Sequence, residues 1–145
     1  MVGSDGVSIA SVAGFGKALD GVDLRACPVY LEGGASGPLF LAVAAAHARM
    51  KRVGSGSLRG CIGSDPLGLL AQEGVLTSPL DVLYDEMAVA AEWAERNAPH
   101  VRTISVSTRP YHDGGASAIE ELAFAIGTGA EYVRSLVQRG LPSDA

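Results

Sequence analysis

Three short apolar stretches, each followed by a segment with helical spacing, are the feature that most limits the folds open to this chain. The strand-like stretches lie at residues 27–31 (Cys-Pro-Val-Tyr-Leu), 58–63 and 103–107. When a helix links one strand to the next, the strands pair in parallel through right-handed crossovers. The pattern therefore predicts an α/β chain of alternating strands and helices.

The helical segments differ in how clearly they begin and end. We predict helices at 7–19 (weak), 39–51, 66–72, 78–97 and 117–139. The second is apolar nearly all round, which predicts burial on most sides. The last begins with the capping box Ser117–Glu120. Its predicted inner face consists of Ile119, Leu122, Ala123, Ile126, Val133 and Val137. Gly127 lies inside this helix and costs about 1 kcal/mol relative to alanine, which favours close packing there.

Two architectures fit this alternation: an open doubly wound sheet and part of a (β/α)8 barrel. A whole barrel typically needs about 250 residues, and this chain has 145. As barrel sequence it would be about half of a TIM-type barrel, a single partial domain over 1–145. Its β/α units would lie around 27–52, 58–98 and 103–140. Both outer strand edges would then need cover from another chain.

Charge and composition exclude several classes of protein. Eleven basic and sixteen acidic residues give a formal charge of −5, and no basic stripe suggests a nucleic-acid partner. The apolar run 39–46 is too short to span a membrane. The first residues lack the pattern of a signal peptide, so we expect a cytoplasmic protein. Cys27 and Cys61 have no zinc-ligand spacing and are predicted to be small, buried strand residues, with no metal site.

Ligands in both architectures approach the carboxyl ends of the strands. Three segments qualify there: 32–35, 63–65 and 108–115. Asp65 is interpreted as a helix cap, because Pro66 follows it directly.

The third segment carries the most chemistry. His112 is a candidate proton carrier, Arg109 a candidate ligand for a carboxylate or phosphate, and Tyr111 offers a hydroxyl group and a flat ring. Gly114 and Gly115 would let the backbone approach a ligand closely, just before a helix N-terminus that favours anions. The alternative is a surface loop with a solvated histidine.

Two stretches resemble one enzyme family. Residues 58–67 (Leu-Arg-Gly-Cys-Ile-Gly-Ser-Asp-Pro-Leu) resemble a Leu-Arg-Gly-Thr-Ile-Gln-Asn-Asp segment of the adenosylcobalamin-dependent methylmalonyl-CoA mutases. Residues 104–129 resemble the segment of that family with Ser-Gly-Tyr-His, and residues 20–24 resemble the start of one of its barrel strands. The similarity runs in order from about residue 18 to 141.

The resemblance implies a (β/α)8 barrel that binds an acyl-CoA, together with a separate cobalamin-binding domain that this chain lacks. The cofactor supplies the radical chemistry and the protein orients the substrate. The histidine of the family's Tyr-His pair, which touches the cobalamin and the substrate thioester, corresponds to His112, and Tyr111 accompanies it. Gly63 and Ser64, with Arg109, Gly114 and Gly115, would line the substrate site.

Several departures separate the chain from the catalytic members of that family. Gly63 stands where they have a glutamine, and Glu73 stands where an arginine binds the substrate carboxylate, which reverses the electrostatic interaction. Thr108, Arg109 and Pro110 replace a single glycine. The Asp-x-His-x-x-Gly loop that supplies a cobalt ligand is absent from the sequence. This combination resembles the non-catalytic small subunit of heterodimeric bacterial mutases.

Three hypotheses follow. In the first, the chain is a structural, small-subunit-like barrel component of a mutase. Its partner would be a homologous catalytic chain or the remaining barrel half, and adenosylcobalamin would be bound through that partner chain or domain. In the second, it is a catalytic mutase fragment with altered acyl-CoA specificity that uses His112. In the third, it is a freestanding α/β binding module.

Overall fold

A computed structural model describes residues 6–142 of the chain, and the prediction made from the first residues lies outside that range. Strands and helices alternate along it as expected. The elements are α1 (Val12–Ala18), β1 (Val29–Glu32), α2 (Gly37–Met50), β2 (Gly60–Ser64), α3 (Pro66–Glu73), α4 (Leu80–Asn97), β3 (Val101–Ile104), α5 (Arg109–Asp113) and α6 (Ala118–Val137).

The three strands form one parallel sheet in the order β1-β2-β3. Val29 pairs with Gly60, and Gly60 pairs with Val101. Neighbours in the sheet are therefore neighbours in the chain. The predicted α/β class and parallel pairing are confirmed.

The strand bounds differ from the prediction by one to three residues. β3 ends at Ile104 rather than at Ser107. The reason lies in the backbone after it, because the N–H of Ser107 donates to the side chain of Asp65 instead of to a strand. The chain leaves the sheet there.

Helices α1, α2, α4 and α6 form one layer, while α3 and α5 contact each other outside it. α1 packs on α2, α2 on α4, and α4 on α6. This layer and one face of the sheet enclose the larger apolar core. Its most buried members are Phe15, Leu41, Ala44, Ala48, Leu58, Ile62, Ala94 and Ala98.

The opposite face of the sheet is open. Successive residues of a strand point to opposite faces, and Tyr30, Glu32 and Arg102 are exposed. Tyr30, Cys61 and Arg102 are neighbours across the three strands. Parallel sheets are normally covered on both faces, so this sheet is unusual in leaving one face open among the described residues.

Two burial predictions are wrong. α2 was expected to be buried on most sides, but Leu39 and Met50 are exposed and only one face of the helix packs inward. Nothing within residues 6–142 covers its outer side. Cys27 was expected to be buried and is exposed, because it precedes β1; Cys61 is half-buried, and both thiols are free.

The predicted inner face of the last helix is also wrong. α6 begins with the expected capping box, in which Ser117 and Glu120 exchange hydrogen bonds. It buries Thr128, Tyr132 and Leu136. The six residues predicted to face inward are all exposed. The hydroxyl groups of Thr128 and Tyr132 make hydrogen bonds inside the chain, and the six predicted apolar residues face away from it.

Gly127 lies on the open side of α6, and a Cβ there would meet no atom within 4 Å. The close packing predicted for it does not occur among the described residues. We therefore expect Gly127→Ala to raise the free energy of unfolding of the isolated chain by about 0.5–1 kcal/mol, because alanine is the better helix former. Thermal unfolding followed by circular dichroism measures this. A lower melting temperature for the variant would contradict it.

Candidate functional site

The candidate site lies at the carboxyl ends of the strands, where the three predicted segments meet. The turn after β1, the start of α3 and the segment after β3 line a pocket of about 340 Å³. Gly33, Ser36, Asp65, Ser107 and Arg109 are among its lining residues. The strand pattern predicted that these three segments follow the carboxyl ends of the strands, and their position at one edge of the sheet is consistent with that prediction.

Asp65 organises this edge. Its side chain is 5% exposed. Oδ1 accepts from the N–H of Gly68 at 3.0 Å and from the hydroxyl of Tyr132, and Oδ2 accepts from the N–H of Ser107 at 2.8 Å. The Tyr132 oxygen in turn accepts from the N–H of Leu67 at 2.9 Å. One carboxylate thus caps α3 and joins it to the segment after β3 and to α6.

Burial and the hydrogen bond to Asp65 raise the pKa of Tyr132 above its usual range. The phenol therefore keeps its proton and remains a donor to the carboxylate. Sequence analysis identified the capping role of Asp65 but missed Tyr132, which is 67 residues away in the chain. No local pattern marks such a pair.

Gly63 and Ser64 are buried and closely packed. A Cβ at position 63 would lie 2.1 Å from Oγ of Ser105. Ser64 is 1% exposed, and its Oγ lies where a Cβ on Gly37 would be, at 2.2 Å. Within residues 6–142 that oxygen has no hydrogen-bond partner. Both positions serve close packing between β2 and its neighbours.

The segment 108–115, in which no helix was predicted, contains a short helix, α5. Pro110 falls in its first turn, where a missing N–H is tolerated. α5 turns its side chains towards α6. The Tyr111 ring stacks on Phe124 with a centroid separation of 4.8 Å, and its hydroxyl lies 3.2 Å from that of Thr128.

His112 also contacts α6. Its Nδ1 lies 2.7 Å from Oε1 of Glu121, and its side chain is 70% exposed. Neither Tyr111 nor His112 lines the pocket at the strand ends, although Arg109 does. The structure therefore separates the predicted proton carrier from the predicted anion ligand.

The remaining predicted residues close α5 or lie at its surface. Arg109 is exposed and its Nε lies 3.4 Å from Oδ2 of Asp113. The N–H groups of Gly114 and Gly115 donate to carbonyl groups within α5, and Gly115 has φ +93°. These two N–H groups are thus already used inside the turn. Glu73 is exposed at the last residue of α3.

The hydrogen bond and the charge of Glu121 raise the pKa of His112 above 6.5. A raised folded-state pKa gives a stabilising contribution that is complete below the unfolded pKa and is lost as the pH rises through the folded value. We expect a ¹H–¹⁵N titration to give a pKa above 6.5 for His112, and Glu121→Gln to lower it. Glu86→Gln, an exposed change on α4, is the control. An unchanged His112 titration in Glu121→Gln would contradict this prediction.

Across residues 6–142, no three His, Cys, Asp or Glu side chains are grouped so as to bind a metal ion. No helix in that range is long and apolar enough to cross a bilayer.

Comparisons with known proteins agree on one family. The sequence model of methylmalonyl-CoA mutase matches residues 1–145. The methylmalonyl-CoA mutase small subunit of Streptomyces virginiae is 34% identical over 130 residues, which cover 90% of this chain and 20% of that protein. The small subunit of Propionibacterium freudenreichii subsp. shermanii is 38% identical over 82 residues, 54% of this chain and 12% of that protein.

A relative whose name specifies no subunit is also similar. The methylmalonyl-CoA mutase of Rhizobium meliloti (strain 1021) is 29% identical over 144 residues, 99% of this chain and 20% of that protein. The chain therefore spans about a fifth or less of the length of these relatives.

Proposed function

We propose that this chain, which belongs to the methylmalonyl-CoA mutase family, is a structural, small-subunit-like component of a coenzyme-B12-dependent acyl-CoA mutase, a carbon-skeleton isomerase. Its similarity to two small subunits supports the small-subunit type. The catalytic chemistry would belong to a homologous partner chain. We infer a cytoplasmic assembly, because the two cysteines are free.

The observation that carries this proposal is the direction of the Tyr111–His112 pair. Both side chains contact α6, at Thr128 and Glu121, and not the pocket at the strand ends. A general acid or base has to come within hydrogen-bond reach of the group it serves. The pair instead fastens α5 to α6, which is a structural role.

The surroundings of Gly63 and Glu73 also support a structural role for this chain. The space beside Gly63 is filled by Ser105, so a glutamine at 63 would need Ser105 to move. Glu73 is exposed outside the pocket. Of the positions that the resemblance assigns to the substrate, 63 is thus closely packed and 73 lies at the surface.

The described residues do not fit a cobalamin site. The histidine that the resemblance places at the cofactor is paired with a carboxylate at the surface, and no further ligand group gathers near it. We therefore assign adenosylcobalamin to the partner chain or to a separate domain.

The proposed architecture is about half of a (β/α)8 barrel. Strand order follows chain order, and α1, α2, α4 and α6 pack side by side in that order. The open sheet face would become part of the barrel interior. The partner would be a homologous catalytic mutase chain or the other barrel half.

Co-expression with the catalytic mutase chain of the same organism tests the proposal. We expect a stable complex that isomerises methylmalonyl-CoA in the presence of adenosylcobalamin. His112→Ala in this chain should leave turnover unchanged, because its imidazole contacts Glu121 and not the pocket.

The competing hypothesis predicts a different result. If His112 were a catalytic acid, its removal should lower turnover by about a hundredfold or more. Such a loss, with the complex intact, would favour the catalytic fragment with altered acyl-CoA specificity. A folded chain that forms no complex would favour the freestanding binding module.

A further inference from the structure

A groove of about 700 Å³ runs between α2 and α4. Two of its lining residues, Leu41 and Ala90, are buried, whereas Ala42, Val89 and Trp93 are partly or fully exposed. Val89 is 67% exposed on one wall. We call this space the α2–α4 groove.

The walls of the groove belong to two helices that are both present from end to end. All of its lining residues lie on α2, on α4, or at Ser55 in the segment before β2. Neither the sheet nor the helices α1 and α6 contribute to it. The packing of α2 against α4 therefore sets its shape.

The two helices run in the same direction, because each leads from one parallel strand to the next. The hydroxyl group of Ser55, just after α2, donates to the carbonyl group of Asn97 at the end of α4, at 2.8 Å. Both helices therefore end at the same end of the groove. α4 lines the groove from Asp85 to Asn97, which is about 18 Å, or about three turns of helix, at the usual rise per residue.

The two ends of the groove carry opposite charges. Arg49 lies where the helices end, and Asp85 and Glu86 lie towards the end where they begin. Asp85 is paired with Arg139. Arg49 and Glu86 are exposed, and neither has an ion-pair partner within residues 6–142. An occupant that spans the groove therefore meets a positive charge at one end and a negative charge at the other.

We propose that the α2–α4 groove is the docking site for a three-turn amphipathic helix of a protein partner, which lies antiparallel to α2 and α4. Acidic residues in the first turn of that helix pair with Arg49, and basic residues in its last turn pair with Glu86. Its apolar face covers Val89 and Trp93, and tryptophan is a residue type that often anchors an interface.

The direction of the docked helix follows from its charges. Helices favour acidic residues in the first turn and basic residues in the last, because these complement the helix dipole. An antiparallel helix therefore brings its acidic end to Arg49 and its basic end to Glu86. It also places its own positive N-terminus beside the negative C-terminal ends of α2 and α4.

A fatty acid fits the groove less well. Its carboxylate would pair with Arg49, but its apolar end would then lie beside Asp85 and Glu86. Carboxylates lose favourable hydration when an apolar group covers them without replacing the lost hydrogen bonds. A helix that is charged at both ends satisfies both ends of the groove, which is why we commit to it.

Fluorescence of Trp93 tests the proposal, because the chain contains a single tryptophan and it lines the groove. The probe is a synthetic three-turn peptide, held helical by a hydrocarbon staple, with glutamates in its first turn, leucines along one face and lysines in its last turn. We expect a saturable blue shift. The control peptide has the glutamates and lysines exchanged and should bind about fivefold more weakly, because like charges then meet at both ends.

A charge exchange in the chain should reverse this preference. The double variant Arg49→Glu/Glu86→Lys should bind the exchanged peptide more tightly than the original one. The matched control is Arg59→Glu/Glu73→Lys, the same exchange at two exposed residues that do not line the groove, and it should keep the wild-type preference. Both variants should keep the wild-type circular dichroism spectrum, since all four side chains are exposed.

Equal affinity for the two peptides, or an unchanged preference in a folded Arg49→Glu/Glu86→Lys chain, would overturn the docking site. A blue shift of Trp93 with dodecanoate but with neither peptide would also overturn it, in favour of a small amphipathic ligand. Dimers of the wild-type chain that Val89→Glu dissociates would overturn it in favour of a second copy. Each of these results leaves the proposed function standing, since that depends on a complex with the catalytic mutase chain.

Discussion

Asp65→Ala should lower the free energy of unfolding by about 4 kcal/mol, because three donors lose a buried acceptor and α3 loses its cap. The donors are the N–H groups of Gly68 and Ser107 and the hydroxyl of Tyr132. The loss is a large part of the roughly 5–15 kcal/mol that holds a domain folded. Urea unfolding followed by circular dichroism measures it.

The control for this change is Asp113→Ala, which removes a carboxylate from an exposed surface pair. Such pairs contribute little, so its effect should stay within about 0.5 kcal/mol. Tyr132→Phe deletes one hydroxyl of the same network and should have an intermediate effect of about 1–2 kcal/mol. Equal stabilities for Asp65→Ala and Asp113→Ala would show that the network does not hold the strand ends together.

Gly60→Ala should destabilise the chain by about 3 kcal/mol, because it combines a strained backbone with a steric clash. Gly60 has φ +114°, and its Cβ would lie 2.1 Å from the carbonyl oxygen of Val29. That oxygen belongs to the backbone of β1, so no side-chain rotation relieves the contact. Strands β1 and β2 would have to separate at their first paired residues.

Gly54→Ala is the matched control in the segment before β2. It has φ −65° and ψ 140°, and a Cβ there would meet no atom within 4 Å. Its unfolding midpoint should match the wild type or exceed it slightly, because alanine restricts the unfolded chain. Gly60→Ala with a wild-type midpoint would mean that the sheet is more deformable than its geometry indicates.

The elements that carry local signals were predicted well. The capping box joins Ser117 to Glu120, and the cap at Asp65 is followed directly by Pro66, so the local sequence shows both. The alternation of strand and helix segments is also visible in the sequence, and it predicted the parallel sheet.

The failures concern contacts between distant elements. Periodicity showed that α6 has an apolar face containing Ile126, but not which face the chain buries. That choice depends on Tyr132, whose hydroxyl reaches Asp65 from 67 residues away. An apolar face needs a covering element, and residues 6–142 supply none for the face of α6 that contains Ile126.

The candidate site was predicted only in part. Ligands were expected at the carboxyl ends of the strands, and a pocket that Arg109 helps to line lies there. The direction of the His112 side chain depends on α5, which runs from Arg109 to Asp113. A helix this short leaves no periodic signal in the sequence. The stacking of Tyr111 on Phe124 and the pairing of His112 with Glu121 then set its direction.

The order β1-β2-β3 has a consequence for synthesis on the ribosome. Each strand pairs with the one made just before it, so a nascent chain finds its neighbour already in place. Val29 pairs with Gly60 and Gly60 with Val101, so each parallel pairing is a contact between residues distant in the chain, which slows folding. The three strands are nonetheless able to pair in the order of translation, β1 with β2 and then β2 with β3.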